Sequence, residues 1–203
     1  MTAAAGVVVP VRAFRMGKAR LAPHLGEGER EAFARAMATR VVSAAGDRPI
    51  VVVSSAPEVR AWSVELDLAI LDDPGSLDAA ADAGRSFLAE RGVRRVVVAH
   101  ADLPRASSLG SLARDGGRPI VAAVPCHRDD GTPVLSVPVE IPFRFSYGPG
   151  SFRRHAAEAR RLGLGFRVVR DARLAFDVDI PDDLLALDAA FPRPGAPLAA
   201  RSR

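Results

Sequence analysis

The stretch GVVVPV, residues Gly6–Val11, is the first of several short β-branched runs that decide the fold class of this chain. Such a run, apolar on both sides, is typical of a strand buried within a sheet. Similar runs recur, and the strand candidates are Ile50–Ser54, Leu68–Leu71, Val96–Ala99, Ile120–Val124, Val134–Val137, Phe166–Val169 and Leu174–Val178. Because segments with helical patterning separate many of these runs, the sequence predicts parallel βαβ units and an α/β fold.

Helices are predicted between the strands, and several have recognisable first residues. The candidates are Glu29–Ala45, Pro57–Val64, Ser76–Glu90, Ser107–Arg114, Phe152–Leu162 and Pro181–Ala190. Ser76 and Ser151 stand where N-cap residues belong, and Pro181 stands at a helix start. We expect residues 1–191 to form one domain, and residues 192–203, which are mostly Pro, Gly, Ala and Arg, to form a loose tail.

Composition excludes several classes of protein. The chain has 203 residues and one cysteine, so it has neither an internal disulfide framework nor a multi-cysteine zinc site. No apolar run approaches the ~18 residues of a membrane span. The apolar start also lacks the preceding basic residue of a secretory signal. These features predict a cytoplasmic enzyme or binding module without membrane association.

The charge is basic but dispersed. Lys and Arg number 28 against 24 Asp and Glu, and aromatic residues make up only 5% of the chain. Interleaved charges and few stacking platforms argue against a nucleic-acid partner and suit a small anionic substrate. Lys18 is the single lysine of the sequence.

Three cations follow the first predicted strand on one loop: Arg12, Lys18 and Arg20. In an open α/β sheet, ligands bind beyond the carboxyl ends of the strands. Such a loop is suited to hold phosphate groups and to offset charge during phosphoryl or nucleotidyl transfer. The loop matches neither a Walker sequence nor a GxGxxG element, and the alternative is a solvated basic loop.

Carboxylates follow two other predicted strands. Asp102 comes shortly after Val96–Ala99, and Asp177 and Asp179 lie at the end of Leu174–Val178. Alternation along a strand places Asp177 and Asp179 on one side of the sheet. Carboxylate oxygens are preferred ligands of Mg²⁺, so the three residues predict a magnesium site that orients a triphosphate. The alternative is a set of ordinary acidic strand ends.

A glycine-rich turn, Gly148-Pro149-Gly150, precedes Ser151 at a predicted helix start. Free backbone N–H groups and the helix dipole make such a turn a candidate anion site. Thr132, in the Asp130-Gly131-Thr132 stretch, is a second candidate donor to a phosphate or a carboxylate. A plain capped helix and a plain turn are the alternatives.

Taken in order, these segments resemble the CofC/FbiD family, guanylyltransferases that make the activated precursor of the redox coenzyme F-420. The resemblance runs from Val7 to about Leu187. The segments that carry it are VPVRAFRMGKARLAP (Val9–Pro23), VVVAHADLP (Val96–Pro104), DGT (Asp130–Thr132), YGPGSFRRHAAEA (Tyr147–Ala159) and LAFDVDIPDDL (Leu174–Leu184).

The resemblance implies a nucleotide-diphospho-sugar-transferase-like fold, with a mixed sheet between helices. It implies that GTP and a phosphorylated three-carbon acid give a guanylylated acid and pyrophosphate. The acid is phosphoenolpyruvate in bacterial members, 2-phospho-L-lactate in archaeal members and 3-phosphoglycerate in some relatives. The guanylylated acid is unstable, so handover to the next transferase of the pathway is expected.

The resemblance also implies roles for particular residues. Thr132, Gly148 and Ser151 would hold the acid. Asp102, Asp177 and Asp179 would hold Mg²⁺. Arg12, Lys18 and Arg20 would contact the triphosphate, and Lys18 and Asp102 would act in catalysis.

Two departures from the family pattern lie near the expected substrates. The family usually has Gly-Leu-Asn-Ala where this chain has Gly75–Ala79, so Asp78 would meet the guanine amino edge as a carboxylate instead of an amide. Pro133 follows Thr132, which removes an amide side chain and a backbone donor. Two further functions stay open: another nucleotidyltransferase or glycosyltransferase on this fold, and a nucleotide-binding module without activity.

Overall fold

One seven-stranded sheet organises the part of the chain that the computed structural model describes, residues 5–114, 119–128 and 130–187. Its strands are β1 (Gly6–Pro10), β2 (Ile50–Val53), β3 (Ala69–Leu71), β4 (Arg95–Ala99), β5 (Ile120–Val124), β6 (Val134–Pro138) and β7 (Gly165–Val168). The strand order is β3-β2-β1-β4-β6-β5-β7. The predicted α/β fold is therefore confirmed, and the sheet is mixed: β6 runs antiparallel to both β4 and β5, whereas the other pairs are parallel.

This topology brings all the loops of interest to one edge of the sheet. β1 to β5 and β7 share one direction, so their carboxyl ends lie together, and β6 begins at that same edge. β1 and β4 are neighbours, but the chain leaves β1 for β2 on one side and leaves β4 for the strands on the other side. Such a reversal of strand order opens a crevice where α/β proteins bind ligands.

Helices cover both faces of the sheet. They are α1 (Glu27–Ala44), α2 (Pro57–Glu65), α3 (Leu77–Ala89), α4 (Gly110–Ala113), α5 (Ser151–Arg161) and α6 (Pro181–Leu185). Successive valines of β1 point to opposite faces: Val7 and Val9 pack with α1, α2 and α4, and Val8 packs with α3. None of the described helices is long and apolar enough to cross a bilayer.

A close approach of α3 to β1 fixes the position of the first turn of this helix. A Cβ atom added to Gly84 would lie 2.4 Å from Val8 Cγ1, so only glycine allows this contact. Ser76 caps α3 by accepting a hydrogen bond from the Ala79 amide at 3.2 Å, as predicted. The start of α3 thereby stands at the carboxyl edge of the sheet.

Several predicted elements differ in the structure. Residues 174–178 form an irregular segment instead of a strand, because a turn at residues 172–174 and a bend at Ala175 interrupt the backbone where the strand was expected to begin. Its link to the β5–β6 loop is a bond from the His127 amide to the Ala175 carbonyl. The helix expected at Ser107–Arg114 is only the single turn α4. The N-cap of α5 is Gly150, in the left-handed region at φ 74°, and Ser151 is the first helical residue.

The C-terminal helix begins at Pro181 as predicted and ends at Leu185. Residues 188–190, where the predicted helix would end, and the expected tail at 192–203 lie outside the described residues. A third apolar cluster ties this end of the chain to the rest of the molecule, since Phe176, Val178 and Leu187 pack against Phe33 and Met37 of α1.

Candidate active site

A cleft of about 940 Å³ opens at the carboxyl ends of β1, β2 and β4. That volume lies within the usual range of small-molecule sites. The predicted cations Arg12, Lys18 and Arg20 all line it, together with Asp102 and Asp179. The cleft lies at the β1–β4 reversal, where the topology places a ligand site.

Lys18 lies at the centre of the charged part of this cleft. Its Nζ donates hydrogen bonds to Asp102 Oδ2 at 2.7 Å and to Asp179 Oδ1 at 3.0 Å. Its backbone is left-handed, with φ 57° and ψ 36°. That conformation costs a non-glycine residue about 1 kcal/mol, so the loop holds the lysine in place at the expense of local strain. Burial acts to lower the pKa of Lys18, but the two carboxylates outweigh it and raise the pKa.

Asp102 keeps one oxygen free for a further partner. Burial acts to raise the pKa of Asp102, but Lys18 and His100 outweigh it, and the pKa is lowered. The carboxylate is therefore ionised, and its Oδ1 is buried without a hydrogen-bond partner. A buried acceptor without a partner is unfavourable unless a ligand supplies one.

Asp177 lies among both like and opposite charges. Burial raises its pKa, and the nearby Asp102 and Asp179 carboxylates raise it further. Its Oδ1 lies 3.0 Å from His127 Nδ1 and 3.7 Å from Arg128 Nη1, but it accepts no well-directed hydrogen bond. Three carboxylates that repel one another in this way favour the entry of a cation.

Asp183 stabilises the backbone of the segment that carries Asp177 and Asp179. Its Oδ2 accepts hydrogen bonds from the backbone amides of Asp179 at 2.8 Å and Ile180 at 3.0 Å, and Arg128 Nη2 donates to both carboxylate oxygens. Burial acts to raise the pKa of Asp183, but these donors outweigh it and lower the pKa. Sequence reasoning treated Asp183 only as a helix-start residue and gave His127 and Arg128 no role at the site.

We call Lys18, Asp102, Asp177 and Asp179 the carboxylate cluster. Its carboxylate oxygens suit Mg²⁺, a hard cation that prefers oxygen ligands. Two of them, Asp102 Oδ1 and Asp177 Oδ1, are buried without hydrogen-bond partners. Among the described residues, however, no group of three carboxylate, histidine or cysteine side chains converges on one point as a finished metal centre. The Lys18 ammonium group instead bridges Asp102 and Asp179.

The structure also brings together the two hydroxyls that were predicted to hold an acid. Thr132 Oγ1 lies 3.2 Å from Ser151 Oγ and 3.1 Å from His155 Nδ1. All three side chains are buried, and none lines the open cleft. We call Thr132, Ser151 and His155 the hydroxyl cluster. Sequence reasoning missed His155, whose position one turn after Ser151 on α5 was the available signal.

The first turn of α5 already has an acidic partner. Asp130 Oδ1 accepts the Gly150 amide at 2.7 Å, and the Asp130 carbonyl accepts the Phe152 amide at 3.2 Å. Gly148 lies on the exposed turn just before, at φ 99°. The glycine-rich turn therefore adopts the predicted geometry, with part of its donor capacity used by Asp130.

Asp78 lies in the first turn of α3 and contacts the chain shortly before α5. Its Oδ1 accepts the Tyr147 backbone amide at 2.6 Å, so it links the start of α3 to the segment that leads into α5. The Tyr147 hydroxyl and His100 Nε2 are both buried without a hydrogen-bond partner, and their rings lie 5.3 Å apart. A direct contact between Asp78 and a guanine base stays a prediction.

Pro133 leaves the sheet intact. It immediately precedes β6, and its carbonyl accepts the His100 amide at 2.9 Å. A strand start is a position where proline is tolerated. The residue that departs from the expected pattern therefore helps to hold the loop that carries Asp102.

Comparison with known proteins assigns this chain to a family. Residues 5–188 match the family model described as guanylyl transferase CofC like. A phosphoenolpyruvate guanylyltransferase from Rubrobacter xylanophilus is 34% identical over 192 residues, covering 90% of this chain and 93% of that protein. A 2-phospho-L-lactate guanylyltransferase from Halorubrum lacusprofundi is 37% identical over 187 residues, covering 89% and 82%.

The fold has solved counterparts. A protein from Desulfovibrio desulfuricans G20, provisionally named a nucleotide-diphospho-sugar transferase, superposes with a TM-score of 0.73 at 16% identity. The match covers 96% of this chain and 92% of that one. At this identity the likeness shows the fold, and it agrees with the nucleotide-diphospho-sugar-transferase-like architecture that the sequence predicts.

Proposed function

Because the chain belongs to the CofC-like guanylyltransferase family, we propose that it joins GMP from GTP to a phosphorylated three-carbon acid, phosphoenolpyruvate in the first place, with release of pyrophosphate. The 2-phospho-L-lactate named for the Halorubrum relative is the next acid in order. The product would enter coenzyme F-420 biosynthesis in the cytoplasm and pass to the next transferase.

One observation carries the proposal: Arg12, Lys18 and Arg20 of the β1–α1 loop line one cleft with Asp102 and Asp179 of two other loops, and the Thr132 and Ser151 hydroxyls lie 3.2 Å apart at the start of α5. The first group matches the needs of a triphosphate, which carries dense negative charge. The second group offers short neutral donors, which suit a small anion.

The reaction is an in-line displacement. A phosphate oxygen of the acid attacks the α-phosphorus of GTP, a new P–O bond forms, and the bond to the bridging oxygen of pyrophosphate breaks. The attacking oxygen is already anionic, so no residue has to remove a proton. Catalysis then consists of positioning and charge neutralisation.

Residues of the chain divide this work. Arg12 and Arg20 hold the outer phosphates, and Lys18 neutralises charge that develops as pyrophosphate leaves. Asp102, Asp177 and Asp179 would hold Mg²⁺, which supplies further charge neutralisation at the phosphates when it is bound. Thr132, Ser151 and the Gly148 backbone bind the acid and fix the direction of its phosphate.

The test is pyrophosphate release by the purified protein with GTP and Mg²⁺. Phosphoenolpyruvate, 2-phospho-L-lactate and 3-phosphoglycerate are supplied separately, ATP and CTP replace GTP as controls, and each product is weighed by mass spectrometry. We expect a guanylylated acid with GTP and phosphoenolpyruvate. Folded protein that binds GTP without releasing pyrophosphate with any acid would contradict the proposal.

A further inference from the structure

His155 is the buried histidine of the hydroxyl cluster, on α5, and its hydrogen-bond partners fix which ring nitrogen carries the proton. The Ser146 backbone amide donates a hydrogen bond to His155 Nε2 at 3.1 Å. A ring nitrogen that accepts a hydrogen bond carries no proton. The neutral ring must then carry its proton on Nδ1, which lies 3.1 Å from Thr132 Oγ1.

This tautomer determines the direction of the next bond. His155 Nδ1 donates to Thr132 Oγ1, so the Thr132 hydroxyl proton is free to point elsewhere. Ser151 Oγ, at 3.2 Å, is the other hydrogen-bond partner of that hydroxyl. Ser151 Oγ is the acceptor available to that proton, and with Thr132 as the donor the Ser151 hydroxyl proton has no acceptor among the described residues.

Charge and packing keep the ring neutral. His155 is fully buried beside the rings of Phe143 and Tyr147. Burial lowers its pKa to about 4, and the nearby Arg154 and His100 act in the same direction. At neutral pH the ring therefore keeps one acceptor and one donor nitrogen.

We propose that His155 is a positioning residue that orients the Thr132–Ser151 pair, so that the Ser151 hydroxyl donates to an anionic oxygen of the phosphorylated acid. The proposal deepens the proposed function and rests on it for the identity of the ligand. Ser151 directly follows the exposed turn Gly148–Gly150, so an anion bound at that turn is next to the hydroxyl along the chain. A donor shielded from water also binds an anion more strongly.

A pair of variants separates the effect of the hydrogen-bond direction from an effect of side-chain packing. His155→Asn keeps an amide N–H near the position of Nδ1 and can still donate to Thr132. His155→Gln places its amide near Nε2 and loses that donation. We expect the KM for the acid to change less than about 3-fold in His155→Asn and to rise about 10-fold or more in His155→Gln, since a tenfold change corresponds to 1.4 kcal/mol.

Two further readouts distinguish positioning from a structural role. The KM for GTP should stay unchanged in both variants. The double variant His155→Gln/Ser151→Ala should bind the acid no worse than Ser151→Ala alone, because His155 acts through Ser151. Equal effects of Asn and Gln, or a parallel rise of both KM values, would overturn the proposal.

A measurement on the unmodified protein needs neither turnover nor a stable variant. NMR of the ¹⁵N-labelled protein at pH 7 reports which ring nitrogen of His155 is protonated, with the signal assigned through its contact with Phe143. We expect a proton on Nδ1, and a proton on Nε2 would overturn the inference. Absence of pyrophosphate release with every acid, combined with the Nδ1 tautomer, would count against the proposed reaction and leave the hydrogen-bond direction intact.

Discussion

The carboxylate cluster and the hydroxyl cluster differ in how completely their polar atoms are paired. In the carboxylate cluster, Lys18 bridges two acids while other acidic oxygens stay without hydrogen-bond partners. In the hydroxyl cluster, every polar atom except the last hydroxyl proton has a partner in a neutral chain of hydrogen bonds. The first arrangement leaves charge to be balanced by an incoming ligand, and the second has a fixed direction before any ligand arrives.

Under the proposed function, the difference follows from the charge and size of the substrate that each cluster would bind. A triphosphate and its cation carry charges that can exchange partners with Lys18 and the acids, so an unbalanced cluster can accommodate them. A small acid offers few atoms to recognise, so its donors have to be oriented in advance. Predictions that alter one cluster and spare the other test this division.

The largest expected effect is at Asp102. Asp102→Asn keeps the shape but removes the charge that Lys18 neutralises, so turnover should fall about 1,000-fold, a typical loss for a central electrostatic group. Glu65→Gln, which breaks the exposed ion pair between Glu65 of α2 and Arg35 of α1, is the matched control and should keep full activity. Steady-state rates and circular dichroism check the pair, and a rate near that of the unmodified protein in Asp102→Asn would refute the role.

Lys18→Met should lower turnover about 100-fold while affecting metal binding in the opposite sense. The ammonium group that bridges Asp102 and Asp179 competes with any cation for these oxygens. Its removal should tighten Mg²⁺ binding in the absence of nucleotide, as measured by isothermal titration calorimetry. Weaker Mg²⁺ binding in Lys18→Met would show that the lysine does not compete for the carboxylates.

Asp183→Asn should weaken the support of the carboxylate cluster. Its carboxylate accepts hydrogen bonds from the exposed Arg128 and from the amides of Asp179 and Ile180, and loss of a hydrogen bond to a charged group costs about 1.5–3 kcal/mol. We expect the free energy of unfolding to drop by that amount in urea titrations. The KM for the acid should change little, and a selective rise of that KM would argue that Asp183 serves the hydroxyl cluster.

The last effect, which appears only below about pH 6.5, is a pH dependence of the stability at His155. Its folded-state pKa of about 4 lies below the ordinary value of 6.5, so the unfolded chain binds the extra proton first as the pH falls. The stabilising contribution is complete above pH 6.5 and is lost between pH 6.5 and 4, by about 3 kcal/mol in total. His155→Asn should lack this part of the pH dependence. Parallel stability curves for the two proteins would contradict the assignment.

Much of the fold was predictable because its strands are continuous β-branched runs. Val7–Val9 is buried on both faces, and the sequence pattern says so directly. Leu174–Val178 contains one β-branched residue and an aspartate, and it forms no strand. The local sequence of such a segment does not determine whether it pairs with a sheet.

The position of a candidate residue was predictable where the residue lies on a loop that leaves a strand. Arg12, Lys18, Arg20 and Asp102 all lie in the cleft, as the loop positions indicate. The contacts of His155 and Asp183 were not predictable, although the spacing of His155 from Ser151 on one helix was a signal for His155. Each acts on residues that the fold brings close, and the Thr132–His155 contact spans 23 positions of the chain.

The division between the clusters is tested most directly by KM values for both substrates in two variants. Arg12→Ala removes an exposed cation of the cleft, and Ser151→Ala removes the last donor of the hydroxyl cluster. We predict that Arg12→Ala raises the KM for GTP alone and that Ser151→Ala raises the KM for the acid alone. A rise of the same KM in both variants would contradict the assignment of one substrate to each cluster.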